Sequence, residues 1–207
     1  MWVEERITVA GAVPTQWGKL LDLPGLTPSH LPHLRIGVAA TAAASPELIK
    51  AVRRKLGCAL VVRYAMTESP SITGTEPDDS TDVQGGTVGR PQRGMSVRIV
   101  DADGKPIAAG GTGEVQVRGT CVMRGYWNDP DTTALAFDGE WLRTGDLGRL
   151  DEHGNLVLAG RSRDMYIRGG YNVYPLEVEN VLATHPAVAK VSIVGMPARV
   201  IGEIGAA

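Results

Sequence analysis

The segment over residues 45–64 constrains the fold more than any other part of this sequence. Ser45-Pro46-Glu47 combines a capping hydroxyl, a proline at the first helical position and an early acid, which together predict the start of a helix. Apolar residues follow at helical spacing until Gly57, where the helix should end. The apolar run over residues 59–64 then predicts a short buried strand. A helix leading into a buried strand is typical of an α/β sheet.

The middle of the chain has a different pattern. Residues 97–100 and 114–118 alternate between apolar and polar side chains, as half-buried strands do, and Asp103-Gly104 and Gly110-Gly111 supply turns between them. The stretch over residues 150–158 predicts another hairpin. This region should therefore be an antiparallel sheet that curves like a barrel.

A polar stretch, Arg161 to Asp164, precedes a fresh set of elements. The expected elements are, in order, a strand over residues 165–168, a turn at Gly169-Gly170, a helix beginning near Pro175 and a strand over residues 188–194. We therefore predict a boundary near Arg163. One helix and two strands bury little area, so we expect this small α+β domain to be incomplete.

Composition narrows the class of protein. The formal net charge of -2 comes without a basic block, so a nucleic-acid partner is not expected. Cys58 and Cys121 lie far apart without further ligands nearby, which argues against a disulfide framework or a zinc site and favours a reducing cytoplasm. We expect no secretion signal and no membrane span. The histidines are expected to be structural or solvated, and the sequence does not indicate an oligomeric state.

Polar segments beside glycine recur at the ends of the apolar elements, and each has an ordinary explanation when taken alone. A Thr-Glu pair after a strand is usually a helix cap, Thr-Gly-Asp is usually a turn, and Arg-x-Arg-Asp is usually a solvated loop. In this order, however, the segments resemble the adenylate-forming superfamily along nearly the whole chain. The motifs that carry the resemblance are residues 64–68, 86–91, 113–119 with Gly125-Tyr126-Trp127, 144–146, and 160–164 running into 169–179.

The resemblance implies roles for residues of a nucleotide site. Thr67 would bind the phosphates of ATP, and Glu68 would hold Mg²⁺, since attack by a carboxylate on the α-phosphate requires both anions to be neutralised. Asp146 would accept hydrogen bonds from the ribose hydroxyls, and Arg161 would donate to the same ribose. Tyr64 would stack on the adenine.

Other implied roles concern the acyl group and the acceptor. Thr41-Ala42-Ala43 lies where the superfamily usually has a Gly-Gly/Ala-Ala-Pro segment against the adenine and acyl group, so the sequence departs from the pattern there. Arg163 occupies the hinge position about which the small domain rotates. Gly169-Gly170 would let the backbone approach the pantetheine arm of coenzyme A, although a plain hairpin turn explains these glycines equally well.

The resemblance also sets expectations for domains. Residues 1–162 would be the carboxy-terminal half of the large nucleotide- and acyl-binding domain, with an α/β part to about residue 85 and a β part over about 86–162. Residues 163–207 would be the hinge and the start of the small domain. The phosphate loop and the catalytic lysine of the superfamily do not occur in this sequence, so we expect a central fragment that is a poor catalyst on its own.

The favoured function is ATP-dependent activation of a carboxylic acid, expected to be fatty or otherwise apolar, and transfer of the acyl group to coenzyme A. Asn172-Val173-Tyr174-Pro175 favours this acyl-CoA synthetase branch over the amino-acid-activating branch. Two alternatives stay open. The chain could be a non-catalytic remnant that binds a nucleotide or an acyl ligand, or it could belong to an acyl-AMP ligase that loads a carrier protein.

Overall fold

The computed structural model describes residues 2–40, 44–188 and 190–207. A five-stranded sheet occupies the amino-terminal part, with the order β1-β2-β3-β4-β5. Its strands are β1 (Val9–Ala12), β2 (Ile36–Ala40), β3 (Ala59–Met66), β4 (Ser69–Gly74) and β5 (Arg90–Pro91). Its helices are α1 (Pro14–Leu21), α2 (Pro46–Leu56) and α3 (Thr81–Gly86), with a 3-10 helix at Pro28–His30. The pairs β1–β2 and β2–β3 are parallel, while β4 and β5 join antiparallel, and this confirms the α/β class.

Helix α2 begins and ends where the sequence predicts. The Ser45 hydroxyl accepts a hydrogen bond from the backbone N–H of Leu48 at 3.2 Å, which satisfies one of the free donors of the first turn. Gly57 ends the helix in the left-handed region at φ 72°, a conformation that costs glycine little. Ile49 and Val52 on one face of the helix are fully buried. The same face packs into a core with Trp17, whose indole N–H donates to the carbonyl of Val38.

A second, antiparallel sheet follows, with the order β10-β9-β7-β6, and β8 pairs with β9 at its edge. Its elements are β6 (Met95–Val100), β7 (Gly113–Gly119), α4 (Pro130–Ala136), β8 (Phe137–Asp138), β9 (Trp141–Leu150) and β10 (Leu156–Arg161). The predicted strands and the hairpin near residue 150 are confirmed. Antiparallel pairing explains the alternation, because one face packs on the core and the other faces outward.

The two sheets share a core. Tyr64 and Ile72 come from the first sheet and pack with Ile99, Val115 and Leu142 of the second. Backbone hydrogen bonds reinforce the junction: the N–H of Val88 donates to the carbonyl of Leu156 at 2.8 Å. The carboxyl end of β3 is therefore fixed against β9, and this contact positions the candidate site.

The carboxy-terminal part differs from the expectation. A 3-10 helix over Ser162–Asp164 leads into a four-stranded sheet with the order β12-β11-β14-β13. Its elements are β11 (Tyr166–Arg168), β12 (Tyr171–Val173), α5 (Pro175–Leu182), β13 (Val194–Ala198) and β14 (Gly202–Ala206). The strand predicted over residues 188–194 is wrong, because pairing begins only at Val194. The strand predicted over residues 165–168 and the helix predicted near Pro175 are confirmed as β11 and α5. The expected number of two strands is too low, since the described part of the unit has four.

This third unit contacts the rest of the chain through helix α5. The helix packs against β10, and Arg149 of β9 lies 3.6 Å from the carboxylate of Glu177 on α5. Both side chains are partly exposed, so this ion pair contributes little to stability. Within the described ranges, no helix is long and apolar enough to cross a membrane.

Candidate active site

Thr67 and Glu68 form the tip of the hairpin between β3 and β4. Met66 pairs with Ser69, so these two residues make up the whole turn. They directly follow the carboxyl end of β3, which pairs in parallel with β2, and the chain then folds back antiparallel as β4. Thr67 is exposed and Glu68 is half-buried, so both side chains are accessible at this tip.

Asp146 lies within β9 at an irregular point of the ladder. Residues 144–146 of β9 face the single residue Val115 of β7, since Gln116 pairs with Arg143 and Glu114 pairs with Leu147. Gly145 adopts φ 73°, and the Thr144 hydroxyl donates to the carbonyl of Val115 at 2.7 Å. Extra residues of this kind bend a strand and redirect a side chain. The bulge therefore presents the Asp146 carboxylate toward the end of β3.

Tyr64, Asp146 and Arg161 come together at this point. The Tyr64 hydroxyl donates to Oδ2 of Asp146, and Arg161, which pairs with Asp146 across β10 and β9, places its Nε 3.5 Å from Oδ1. The Asp146 side chain is only 14% exposed, whereas that of Arg161 is 58% exposed. Burial, followed by the charge of Asp146 and the hydrogen bond to it, raises the pKa of the Tyr64 hydroxyl well above its usual range. Tyr64 is thus a permanent donor to Asp146 at physiological pH.

The sequence reasoning missed this contact. It assigned Tyr64 to stacking on adenine, and that role stays a prediction. In the structure Tyr64 is 8% exposed, and its ring belongs to the shared core. Each carboxylate oxygen has two lone pairs, so Asp146 can accept from Tyr64 and still accept from another hydroxyl.

Glu68 has a partner that the sequence reasoning also missed. The Tyr126 hydroxyl donates to Oε1 of Glu68 at 2.9 Å, and the N–H of Met123 donates to the backbone carbonyl of Glu68 at 2.8 Å. The hydrogen bond to Glu68 is the main reason that the pKa of Tyr126 is raised. The only sequence signal for Tyr126 was that Gly125-Tyr126-Trp127 is one of the motifs of the resemblance. That motif does not indicate that Tyr126 contacts Glu68.

This arrangement can offer a divalent cation one protein ligand, the carboxylate of Glu68. Among the residues that the structure describes, no group of three or more His, Cys, Asp or Glu side chains could hold a metal by itself. Mg²⁺ usually binds through one or two carboxylates together with substrate phosphates and water. Glu68, an accessible carboxylate with one oxygen engaged by Tyr126, can supply such a ligand.

Among the described residues, Gly169, Gly170 and Arg163 form no hydrogen bond or ion pair with this cluster. Gly169 and Gly170 form the turn between β11 and β12, at φ 59° and 87°, and nothing lies within 4 Å of an added Cβ. The turn alone explains both glycines. Arg163 is 76% exposed and lies 3.7 Å from Asp164. The prediction for Thr41, Ala42 and Ala43 lies outside the described residues.

A surface cavity of about 490 Å³ lies beside α1 and α2, and none of the predicted site residues that the structure describes lines it. It is lined by Leu21, Leu26, Thr27, Pro28, Ala51, Arg54 and Lys55. Its lining is mixed, and its lysine, Lys55, already donates to the backbone carbonyls of Leu21 and Leu23. The polar cluster at the end of β3 is therefore the better candidate.

Comparison with known proteins finds relatives over nearly the whole of this chain. Residues 1–127 match the family model described as AMP-binding enzyme. A 3-[(3aS,4S,7aS)-7a-methyl-1,5-dioxo-octahydro-1H-inden-4-yl]propanoyl:CoA ligase of Rhodococcus jostii is 39% identical over 206 residues, which cover 99% of this chain and 38% of the relative. The chain therefore spans well under half the length of this curated relative.

Solved structures agree with the sequence comparison. The amide bond synthetase McbA from Marinactinospora thermotolerans matches with a TM-score of 0.91 at 38% identity, over 98% of this chain and 42% of that one. ATP-bound MatB from Rhodopseudomonas palustris matches with a TM-score of 0.89 at 35% identity, over 98% of this chain and 40% of that one. The three-sheet arrangement is thus the one found in these proteins.

Proposed function

The chain belongs to the AMP-binding enzyme family, and from that premise we propose that its protein uses ATP to activate a carboxylic acid and passes the acyl group to coenzyme A. The observation that carries the proposal is the Tyr64–Asp146–Arg161 cluster at the carboxyl end of β3. It unites three of the residues that the family resemblance assigns to the nucleotide, although they are far apart in the sequence.

Asp146 binds the ribose hydroxyls in this proposal. Its carboxylate is mostly buried, so a hydrogen bond from a ribose hydroxyl forms with little competition from water. Tyr64 contacts one carboxylate oxygen and Arg161 the other, so both are held in place before a ligand arrives. Such preorganisation lowers the cost of binding, because the acceptor needs no reordering.

Thr67 and Glu68 act on the phosphates. They lie at the tip of the hairpin whose first strand carries Tyr64, so ribose and phosphate contacts follow one another along β3 and its turn. Glu68 would hold Mg²⁺, which neutralises phosphate charge while the carboxylate of the acid attacks the α-phosphate. The attack expels pyrophosphate and forms an acyl-adenylate.

The acid is proposed to be apolar, with a fatty acid as the first choice. The Rhodococcus relative is named for a propanoyl group on an octahydro-indene ring system, which supports an apolar acid without restricting it to a straight chain. A panel of straight-chain, ring-bearing and aromatic acids, each with the same ATP concentration, would rank the substrates by pyrophosphate exchange.

Coenzyme A is the proposed acceptor, and the same relative is named as a CoA ligase. Gly169 and Gly170 form an exposed hairpin tip that a pantetheine arm could approach closely. The units over residues 1–162 and 163–207 would move about Arg163 between the two half-reactions. Offering coenzyme A, a phosphopantetheinylated carrier and an amine in parallel tests the acceptor, since a similar structure is that of an amide bond synthetase.

The central test is nucleotide binding by an Asp146→Ala variant. Loss of a charge-assisted acceptor should weaken AMP binding by about 1.5–3 kcal/mol in isothermal titration. Asp103→Ala is the matched control, because Asp103 is 76% exposed in a turn of the second sheet. The control should bind AMP like the parent. Equal AMP affinity in the Asp146 variant and the parent would contradict the assignment of the site.

A further inference from the structure

The Glu68 carboxylate is held by one aromatic hydroxyl. Its Oε1 accepts from Tyr126 at 2.9 Å, and no other hydrogen bond or ion pair of its side chain occurs among the described residues. Its backbone carbonyl accepts from Met123, three residues before Tyr126. The segment that follows β7 therefore holds both the main chain and the side chain of this turn residue.

Tyr126 is itself fixed by a capped turn. Its backbone N–H donates to the Thr133 hydroxyl at 2.9 Å, and that hydroxyl donates to the carbonyl of Asp129 at 2.7 Å. Asp129 caps helix α4 through the N–H of Thr132. A Cβ added to Gly125 would lie 2.8 Å from Thr133, so the chain passes this helix as closely as a glycine allows. The Tyr126 ring is thus attached to a stiff support.

The contact is not needed to satisfy a buried group. Tyr126 is 38% exposed, so water could bind its hydroxyl if Glu68 were absent. Exchanging one hydrogen bond for another with water contributes little to folding. A contribution to folding stability therefore does not explain well why the Tyr126 hydroxyl contacts the Glu68 carboxylate.

We propose that Tyr126 is a positioning residue that holds the Glu68 carboxylate ready for a cation bound to ATP. This inference rests on the proposed function and deepens it. With Oε1 engaged by the hydroxyl, Oε2 has no partner among the described residues and stays available as a metal ligand. A glutamate side chain loses considerable freedom when it binds a cation, and a prior hydrogen bond removes part of that cost.

The test is Tyr126→Phe, which deletes the hydroxyl and keeps the ring. ATP binding is measured by isothermal titration at several Mg²⁺ concentrations, and AMP binding is measured without Mg²⁺. Ordering one long side chain is worth about two- to tenfold in affinity, so the variant should need about two- to tenfold more Mg²⁺ for half-maximal enhancement of ATP binding. Its affinity for AMP without Mg²⁺ should equal that of the parent, which a general loss of structure would not allow.

Two further variants make the result specific. Tyr171→Phe is the matched control, because Tyr171 is 79% exposed on β12 and should leave both measurements unchanged. In a Glu68→Ala background, Tyr126→Phe should add no further effect, since the hydroxyl acts through Glu68.

The outcomes separate the two proposals. If the parent shows Mg²⁺-enhanced ATP binding and Tyr126→Phe has the same Mg²⁺ dependence, the positioning role is refuted and the proposed function stands. An equal effect of Tyr126→Phe with and without Glu68 also refutes it. If the parent binds neither AMP nor ATP, the proposed function fails and the positioning role fails with it.

Discussion

Replacing Tyr64 with phenylalanine removes one hydroxyl from the contact between the two large sheets. The lost bond is a donor to a carboxylate, and both partners are mostly buried: Tyr64 is 8% exposed and the Asp146 side chain is 14% exposed. Hydrogen bonds to charged groups contribute about 1.5–3 kcal/mol, and water cannot readily replace this one. We therefore expect Tyr64→Phe to lower the free energy of unfolding by about 1.5–3 kcal/mol at pH 7.

The size of this difference should depend on pH. The pKa of Tyr64 is raised in the folded chain, mainly by burial and then by Asp146, whereas in the unfolded chain it is near the usual value of about 10. Above pH ~10 the unfolded chain releases this proton while the folded chain keeps it, so stability falls by about 1.4 kcal/mol for each pH unit. Phenylalanine has no such proton. The difference between parent and variant should be full below pH ~10 and shrink above it.

Urea unfolding followed by tryptophan fluorescence can measure this difference, because Trp17 is fully buried in the amino-terminal core. Parent and variant would be compared at pH 7, 10 and 11. Tyr171→Phe serves as the control, since its exposed ring should give no difference at any pH. A Tyr64→Phe variant as stable as the parent at pH 7, or a difference that stays constant to pH 11, would refute the reasoning.

Two other predictions test the local structure. Ser45→Ala should lower the free energy of unfolding by about 1 kcal/mol in the same urea assay, because the N–H of Leu48 loses its cap; a change below a few tenths of a kcal/mol would argue against the cap. Limited trypsin digestion should cut first after Arg161 or Arg163, whose side chains are 58% and 76% exposed at the end of β10 and in the 3-10 helix that follows it. First cuts elsewhere, with this joint intact, would contradict the proposed boundary.

The elements that the sequence predicted well are those with local causes. Helix α2 has its cap and its terminal glycine within the same few residues, and the hairpin near residue 150 has its turn residues between two alternating segments. Each signal acts over a short distance along the chain. No distant contact is required to recognise them.

The strand predicted over residues 188–194 shows where local sequence signals do not determine the structure. Residues 191–193 have strong strand propensity, yet the N–H of Ile193 donates to the carboxylate of Glu179 on α5 and the segment joins no sheet. The next residues, Val194–Ala198, pair instead with Gly202–Ala206, which contains two glycines and has weak propensity. The available partner strand, rather than propensity, decided which residues pair.

The candidate site depends on contacts between residues that are far apart in the sequence. Tyr64 and Asp146 are 82 residues apart, and Glu68 and Tyr126 are 58 residues apart. Periodicity indicates which face of a strand a side chain occupies, but it does not indicate which distant side chain lies opposite. The family resemblance supplied candidate residues for the site, and only the fold revealed that two tyrosine hydroxyls hold its carboxylates.

The irregular points of the fold are also where these residues lie. Asp146 is part of the segment that bulges from β9, Tyr64 borders the register shift between β3 and β4, and Glu68 lies in the turn that joins those strands. A regular ladder would alternate these side chains between the core and the outer face. The register shifts break that alternation, and Gly145 at φ 73° permits the one next to Asp146. The Thr144-Gly145-Asp146 segment, whose sequence is typical of a plain turn, therefore brings the Asp146 carboxylate to the hydroxyl of Tyr64.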